Sequence, residues 1–301
     1  MENYIKFNKI GEGSYGKVYK GLNKFNNELV AIKKIRFHND DEGYASFALR
    51  EISLLLEIKH PNIVTLVDMV PKINKLYLIF EYMLIDLKKY LKLLLEDEFI
   101  SQSLLRSYLY QISSAVDYLH RSRIMHRDIK PRNMLIDDKG VLKVADLGMA
   151  RVYKNTPHKY SPKISTLYYK APELLLGQET YDCSVDIWAI GCTFAEMATK
   201  NVLFKGSSHI NQILVIFRTL GAPTEDIWPG VTTLPHFLSE WEVESTIELT
   251  SLSGNINDQG IDLIKKMITY NPASRILAKD ILKHQYFDGF NPEALYYYTE
   301  S

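Results

Sequence analysis

The stretch His126-Arg127-Asp128-Ile129-Lys130-Pro131-Arg132-Asn133 places a carboxylate, an ammonium and an amide oxygen within eight residues. That is the equipment for moving a phosphoryl group onto a hydroxyl: Asp128 can orient the attacking hydroxyl and accept its proton, Lys130 can neutralise charge on the transferred group, and Asn133 can hold a magnesium ion. Taken in isolation, a mixed charged loop is more often a solvated turn. The reading therefore depends on whether the rest of the chain supplies a phosphate cradle, a second cation and a second metal ligand.

Residues Gly11-Glu12-Gly13-Ser14-Tyr15-Gly16 supply the first of these. They sit between stretches that alternate like strands: Tyr4-Ile5 and Ile10 before, Val18-Tyr19 after, and Leu29-Val30-Ala31-Ile32 beyond Asn26-Asn27. A G-x-G-x-x-G run binds a dinucleotide only where a helix follows, with an acidic residue about 20 positions on. Here Lys17-Val18-Tyr19-Lys20-Gly21 predicts another strand and the acidic residue is missing. The run is read instead as a hairpin whose bare backbone either folds over phosphates or only turns.

Lys33, at the end of Val30-Ala31-Ile32-Lys33, stands where a cation meets α- and β-phosphates under such a hairpin. It needs a carboxylate to position it, and Glu51 is the candidate. Glu51 lies in a predicted helix, Tyr44 to Lys59, with Phe47, Ala48, Leu54, Leu55 and Ile58 at helical spacing. The second metal ligand is Asp146 of Asp146-Leu147-Gly148, which follows two short strands, Met134 to Ile136 and Leu142 to Val144, joined by the turn Asp137-Asp138-Lys139-Gly140. Magnesium on a triphosphate takes one or two carboxylates plus phosphate oxygens.

The elements that position these groups are legible in outline. Ile63 to Met69 and Lys75 to Phe80 read as strands four and five, which gives an α+β chain: an N-terminal five-stranded antiparallel sheet with one helix, then a larger, mainly helical part. The boundary is placed after Tyr82, dividing the chain into 1–82, 83–288 and a tail at 289–301. Backbone groups of Glu81 and Met83 at that junction are the natural contacts for a base, flanked by Phe80. Helices are predicted at Leu87 to Leu95, Ser101 to Arg121, Val185 to Thr199, Ile261 to Tyr270 and Ala278 to Lys283, with loops and short helices across 221–256. Val185 to Thr199 is apolar almost all round, so it is expected at the centre of the second part, with Asp186 tying the His126 loop and Arg275 pairing with Glu173.

The composition excludes several classes. With 301 residues, 46% of them hydrophobic, the chain can bury a large core, and its 36 basic and 36 acidic residues cancel, so no global field points to nucleic acid or a membrane surface. Cys183 and Cys192 lie in one apolar stretch, as buried thiols of a reducing compartment do. The start, Met-Glu-Asn-Tyr-Ile-Lys, has no secretory run. No segment approaches the roughly 18 uninterrupted apolar residues of a membrane span. Nucleus and cytoplasm are the expected compartments.

Six separated signals stand in a fixed order: the glycine run, Lys33, Glu51, His126 to Asn133, Asp146-Leu147-Gly148 and Ala171-Pro172-Glu173. Together they resemble the eukaryotic protein kinases from Tyr4 to about Phe287. Gly11 to Tyr19, Ala48 to Leu55, Asp86-Leu87-Lys88-Lys89-Tyr90, Asp186-Ile187-Trp188 and Ile216 to Gly221 are further similar to the cyclin-dependent kinases, the mitotic cell-division-cycle group above all. Lys130 and Pro131 resemble serine/threonine rather than tyrosine kinases.

The resemblance implies a bilobal kinase fold, ATP and Mg²⁺ as cofactors, and transfer to Ser or Thr of protein substrates with proline following, in cell-cycle control. It implies that Asp128, Lys130, Lys33 and Glu51 are catalytic. ATP would meet Ile10, Gly11, Gly13, Gly16, Val18, Ala31, Lys33, Phe80, Glu81, Met83, Asp86, Asn133, Leu135 and Asp146, with the metal on Asn133 and Asp146. Ser14 and Tyr15 match an inhibitory phosphorylation pair, and Ser161 an activating site whose phosphate Arg50, Arg127 and Arg151 would receive. The implied partners are a cyclin and a small cyclin-kinase-subunit protein.

Departures from the pattern are specific. The cyclin-contacting helix, usually Pro-Ser-Thr-Ala-Ile-Arg-Glu, reads Ala45-Ser46-Phe47-Ala48-Leu49-Arg50-Glu51, with Leu56 where lysine is usual. Leu147 replaces phenylalanine, Arg132 a glutamine, Tyr168 and Lys170 a tryptophan and an arginine, and Ile164 and Ser165 two valines. His209 and Asn211 replace acidic positions that the cyclin-kinase-subunit proteins contact. These substitutions keep a second reading in view, a cyclin-binding scaffold with little activity.

Overall fold

The computed structural model describes residues 1–13, 16–36, 52–153, 159–160, 166–238, 241 and 255–292. Strands β1 (Tyr4–Gly13), β2 (Gly16–Asn23), β3 (Leu29–Arg36), β4 (Leu66–Lys72) and β5 (Lys75–Glu81) form one antiparallel sheet in the order β1-β2-β3-β5-β4. The period-2 alternation of the sequence sorts the side chains onto two faces. On one, Val30, Ile32 and Ile79 pack with Tyr4. On the other, Ile35 and Leu78 pack with Ile52 of the helical residues 52–57 (α1). Ile32, Leu78 and Ile79 are fully buried, each contributing about 1.5–3 kcal/mol of transfer free energy.

The fourth strand begins later than its sequence suggests. Ile63 was expected to open it, but β4 starts at Leu66, and Ile63 forms an isolated parallel bridge to Val144 instead. The backbone before β4 is bonded elsewhere: Val144 donates to the Asn62 carbonyl at 2.8 Å, and Val64 donates to Val144 at 2.9 Å. The buried Asn62 side chain donates from Nδ2 to Gln111 Oε1 and to the Leu142 carbonyl, both at 3.0 Å. Buried polar groups need such partners, and here they clamp the sheet's connecting segment to the helical part.

That part is built on α2 (Leu87–Leu93), α3 (Gln102–Arg121), α4 (Pro172–Leu175), α5 (Ser184–Thr199), α6 (His209–Leu220), α7 (Asp258–Met267) and α8 (Ala278–Ile281). Side-chain caps set several starts: Asp86 accepts from the Lys89 amide, Ser101 from Leu104 and Asn257 from Gly260. The Asn257 cap starts α7 three residues before the expected Ile261. α2 ends before the expected Leu95 because Leu94 turns extended, at φ −66° and ψ 135°. Between the helices run β6 (Ile85–Asp86), β7 (Ile124–Met125), β8 (Met134–Ile136), β9 (Leu142–Val144) and β10 (Arg151–Val152), paired as β6-β8-β9 and β10-β7. Strands β6, β7 and β10 are too short to carry a period. Among the described residues no helix is long and apolar enough to cross a membrane.

Helix α5 is buried from Ser184 to Ala198, as its all-round apolarity predicts. Gly191 lets it pass α7 closely, since a Cβ there would lie 2.8 Å from Ile268 Cγ2. The start of α5 rests on the expected ion pair. Arg275 Nη1 and Nη2 donate to Glu173 Oε1 and Oε2, both at 2.6 Å, with both side chains fully buried. The remaining guanidinium donors reach the carbonyls of Thr269, Ser184 and Tyr270. Removing one partner of such a pair strands the other charge. Arg275→Met should lower the urea unfolding free energy by about 3–5 kcal/mol, and Glu173→Met in the same chain should restore most of it.

Candidate active site

The His126 loop leaves β7 and is held from below by Asp186, in the first turn of α5. Asp186 Oδ2 accepts from the His126 amide at 2.9 Å and Oδ1 from the Arg127 amide at 2.7 Å. His120 Nε2, from the last turn of α3, also meets Oδ2 at 2.9 Å. Arg127 sits at φ 67°, a left-handed conformation that a non-glycine residue adopts only when its surroundings compel it. The turned backbone aims the buried His126 ring inward, where Nδ1 accepts from the Asp128 amide at 3.2 Å and Nε2 meets the Ala145 carbonyl at 3.1 Å. Those partners assign the Nε2–H tautomer.

Asp128 is thereby presented to the cleft. Its Oδ2 accepts from Lys130 Nζ at 2.6 Å and from Asn133 Nδ2 at 3.0 Å, while its buried Oδ1 has no partner among the described residues. An unpaired carboxylate oxygen is costly to bury, and it is what an incoming hydroxyl would bond. Lys130 Nζ also donates to Thr166 Oγ1 at 2.9 Å, bridging the loop to the segment before the 3-10 turn Leu167–Tyr169. Thr166 was not among the residues singled out in the sequence, because nothing in its neighbourhood there links it to Lys130.

Asp146, just after β9, is also left-handed at φ 67°. Burial alone would raise its carboxyl; the Lys33 ammonium, 3.4 Å away, with His126 and the Gly148 amide, outweighs that and holds it below the usual carboxylate range. Asn133 donates both its bonds from Nδ2, to the Asp128 carbonyl and carboxylate, so Oδ1 is its remaining oxygen. One ionised carboxylate and one amide oxygen fit a hard cation that completes its shell with phosphate and water. Glu51, the expected partner of Lys33, lies outside the described residues.

Across the sheet, directly opposed residues share a face. Register pairs Val18 with Lys33 and Ala31 with Phe80, so these four line one surface above Asp146. Ile10 and Gly11 close its edge, Gly11 opposite Val18. Gly16 accepts no side chain: at φ 153° its Cβ would lie 2.2 Å from the Lys34 carbonyl oxygen, so the hairpin beside Gly13 hugs β3. At the junction, Glu81 is anchored by its side chain, from the Thr65 amide at 2.7 Å and Lys143 at 2.6 Å. Among the described residues none bonds the Met83 backbone. Leu135 pairs with Asp86, whose carboxylate caps α2 and meets Lys89 Nζ at 3.1 Å.

Arg127 extends toward Tyr160 and Tyr181. Its Nε donates to the Met149 carbonyl at 2.7 Å, Nη1 to the Tyr181 hydroxyl at 2.9 Å, and the guanidinium stands over the Tyr160 ring. Arg151 Nη1 donates to the adjacent Ala150 carbonyl. Ser14, Tyr15, Arg50 and Ser161 lie outside the described residues. A second network was invisible in the sequence: buried Glu196 of α5 accepts from Lys88 Nζ and, at 2.6 Å, from the Tyr169 hydroxyl. Burial and that carboxylate push the Tyr169 phenol up.

The Asp186–His120 pair makes stability depend on pH in a definable direction. Burial, the largest single influence, would lower the His120 imidazolium, but Asp186 and Cys183 together, through hydrogen bonds and charge, override it and raise it from 6.5 to about 10. A raised folded-state value contributes fully below 6.5 and fades as pH rises through the folded one; the lowered Asp186 carboxyl contributes above the ordinary carboxylate value and fades in acid. The stability gap between the native chain and His120→Gln should be largest near about pH 6 and shrink steadily toward about pH 9. Chemical unfolding across that range reads it, and a constant gap would refute the charged pair.

A family model described as the protein kinase domain matches residues 4–287, nearly the whole chain. ATP, a divalent cation and protein substrates follow from that membership, and the oxygen donors, the bare-backbone hairpin and the unpaired Asp128 oxygen are consistent with them. The chain belongs to the protein kinase family.

Proposed function

We propose that the chain is a serine/threonine kinase of the cyclin-dependent type, directed to hydroxyls followed by proline and acting in cell-cycle control in nucleus and cytoplasm. The observation that carries the catalytic part is the buried, unpartnered Asp128 Oδ1 beside Lys130. Asp128 orients the acceptor hydroxyl through that oxygen and takes its proton. Lys130, already bonded to Asp128 and Thr166, stays beside the hydroxyl as charge develops. Asn133 and Asp146 are the oxygen donors for magnesium, which with ATP supplies the phosphoryl group and offsets its charge. Lys33, paired with Asp146 and expected to meet Glu51, steadies the phosphates. Positioning and electrostatics account for most of the rate.

Regulation is proposed from residue identity and placement. A phosphate on Ser161 would stand next to Tyr160, over which the Arg127 guanidinium is already poised; Arg50 and Arg151 complete the receiving set. Phosphate on Ser14 or Tyr15 would repel those of ATP. Cyclin is the proposed activator.

Purified chain, with and without cyclins, is incubated with Mg-ATP and a basic serine-proline peptide beside Asp128→Asn. The variant should lose about 10²–10⁴-fold in kcat, the contribution of positioned general base catalysis. Equal incorporation by both proteins, or none with any cyclin, would sink the proposal. A peptide array varying the residue after the acceptor should show proline preferred; indifference there would remove the proline-directed part alone.

A further inference from the structure

Strands β1 and β2, with the glycine run and Val18, roof the cleft. Among the described residues, no hydrogen bond or ion pair takes either strand to the junction after β5 or to the helical part. Lys20 of β2 reaches the junction by another means. It lies directly opposite Ala31 and two residues from Val18, so it projects from the face that Val18, Ala31 and Phe80 share. One register row further on, Gly21 and Val30 line up with Glu81, the end of β5, and Tyr82 follows. Lys20 Nζ stands 4.9 Å from the centroid of the Tyr82 ring, and both residues are half-buried. Tyr82 is steadied from either side. Glu81 is anchored by the Thr65 amide and Lys143, and the Leu84 amide donates to the Ile136 carbonyl at 2.9 Å.

Among the described residues Lys20 has no carboxylate partner, so the Tyr82 ring is what its charge meets. An ammonium over an aromatic face is drawn to the ring's negative quadrupole, and the attraction is confined to about 6 Å from the centroid. The contact therefore lasts only while β2 stays down over the junction. We propose that Lys20 and Tyr82 are positioning residues for the nucleotide: their contact holds Val18 at a fixed height above the backbone of Glu81 and Met83, keeps the base enclosed and slows nucleotide release. The inference rests on the ATP cleft proposed above and deepens it. Neither residue touches the transferred group; both act through the roof.

The test uses the full chain with Mg²⁺ and a ribose-labelled fluorescent ADP, whose release into excess unlabelled ADP is followed by stopped flow. Only folded, loaded molecules give the signal, so differences in folded fraction do not enter the rate. Lys20→Met and Tyr82→Leu should each speed release about two- to fivefold, the worth of one exposed cation–π contact. KM for ATP should rise by the same factor, while KM for the peptide substrate stays as in wild type. Lys20→Arg and Tyr82→Phe keep the cation and the ring, and should release ADP as slowly as wild type. The double variant Lys20→Met/Tyr82→Leu should be no faster than either single one, because the same contact is lost in all three. Unchanged release in both single variants, additive effects in the double variant, or Tyr82→Phe as fast as Tyr82→Leu overturns the inference alone. Failure of the wild-type chain to bind the labelled ADP overturns the ATP cleft itself, and this inference with it.

Discussion

The site depends on one buried carboxylate. Asp186 accepts two successive backbone amides, from His126 and Arg127, and a third bond from His120. Two adjacent amides can converge on one carboxyl group only if the chain turns sharply, and the left-handed Arg127 is that turn. The strain there is affordable because a buried carboxylate with fewer donors would cost more. Everything above follows: the His126 ring is pinned, its Nδ1 receives the Asp128 amide, and Asp128 is raised into the cleft with one oxygen satisfied and one open.

The anchor is stiff because of what carries it. Helix α5 is enclosed from Ser184 to Ala198, so Asp186 cannot shift without moving the core. Its first turn is braced by Arg275, which bonds the Ser184 carbonyl and Glu173 together. At the opposite end of α5, Glu196 holds Lys88 and Tyr169. One helix thus fixes the Asp128 loop through its start, and Lys88 and Tyr169 through its end.

The nucleotide side is assembled differently. Lys33 comes from β3 and Asp146 from the turn after β9, and their ion pair spans the two parts of the molecule. That pairing is held in register by Asn62, Gln111 and the Val64–Val144 bond, all of them polar contacts in a dry junction. In so enclosed a place each bond is strong and each missing partner expensive. This is also why Ile63 leaves the sheet: its neighbours' backbone groups are needed at the junction more than in β4.

Much of this was determined by the sequence alone. Alternation in residues 4 to 35 implied three strands, helical spacing implied α3, the all-round apolar run implied a central α5, and the order of the motifs brought Lys33, Asp128, Asn133 and Asp146 to one cleft; the pairings of Asp186 with the loop and of Arg275 with Glu173 were legible too. These are local patterns, or motifs whose order carries their meaning. Tertiary structure alone decided that Thr166 meets Lys130, that Glu196 joins Lys88 to Tyr169, and where β4 begins. No periodicity encodes those choices, because each is settled by which buried polar group lies nearest once the helices have packed.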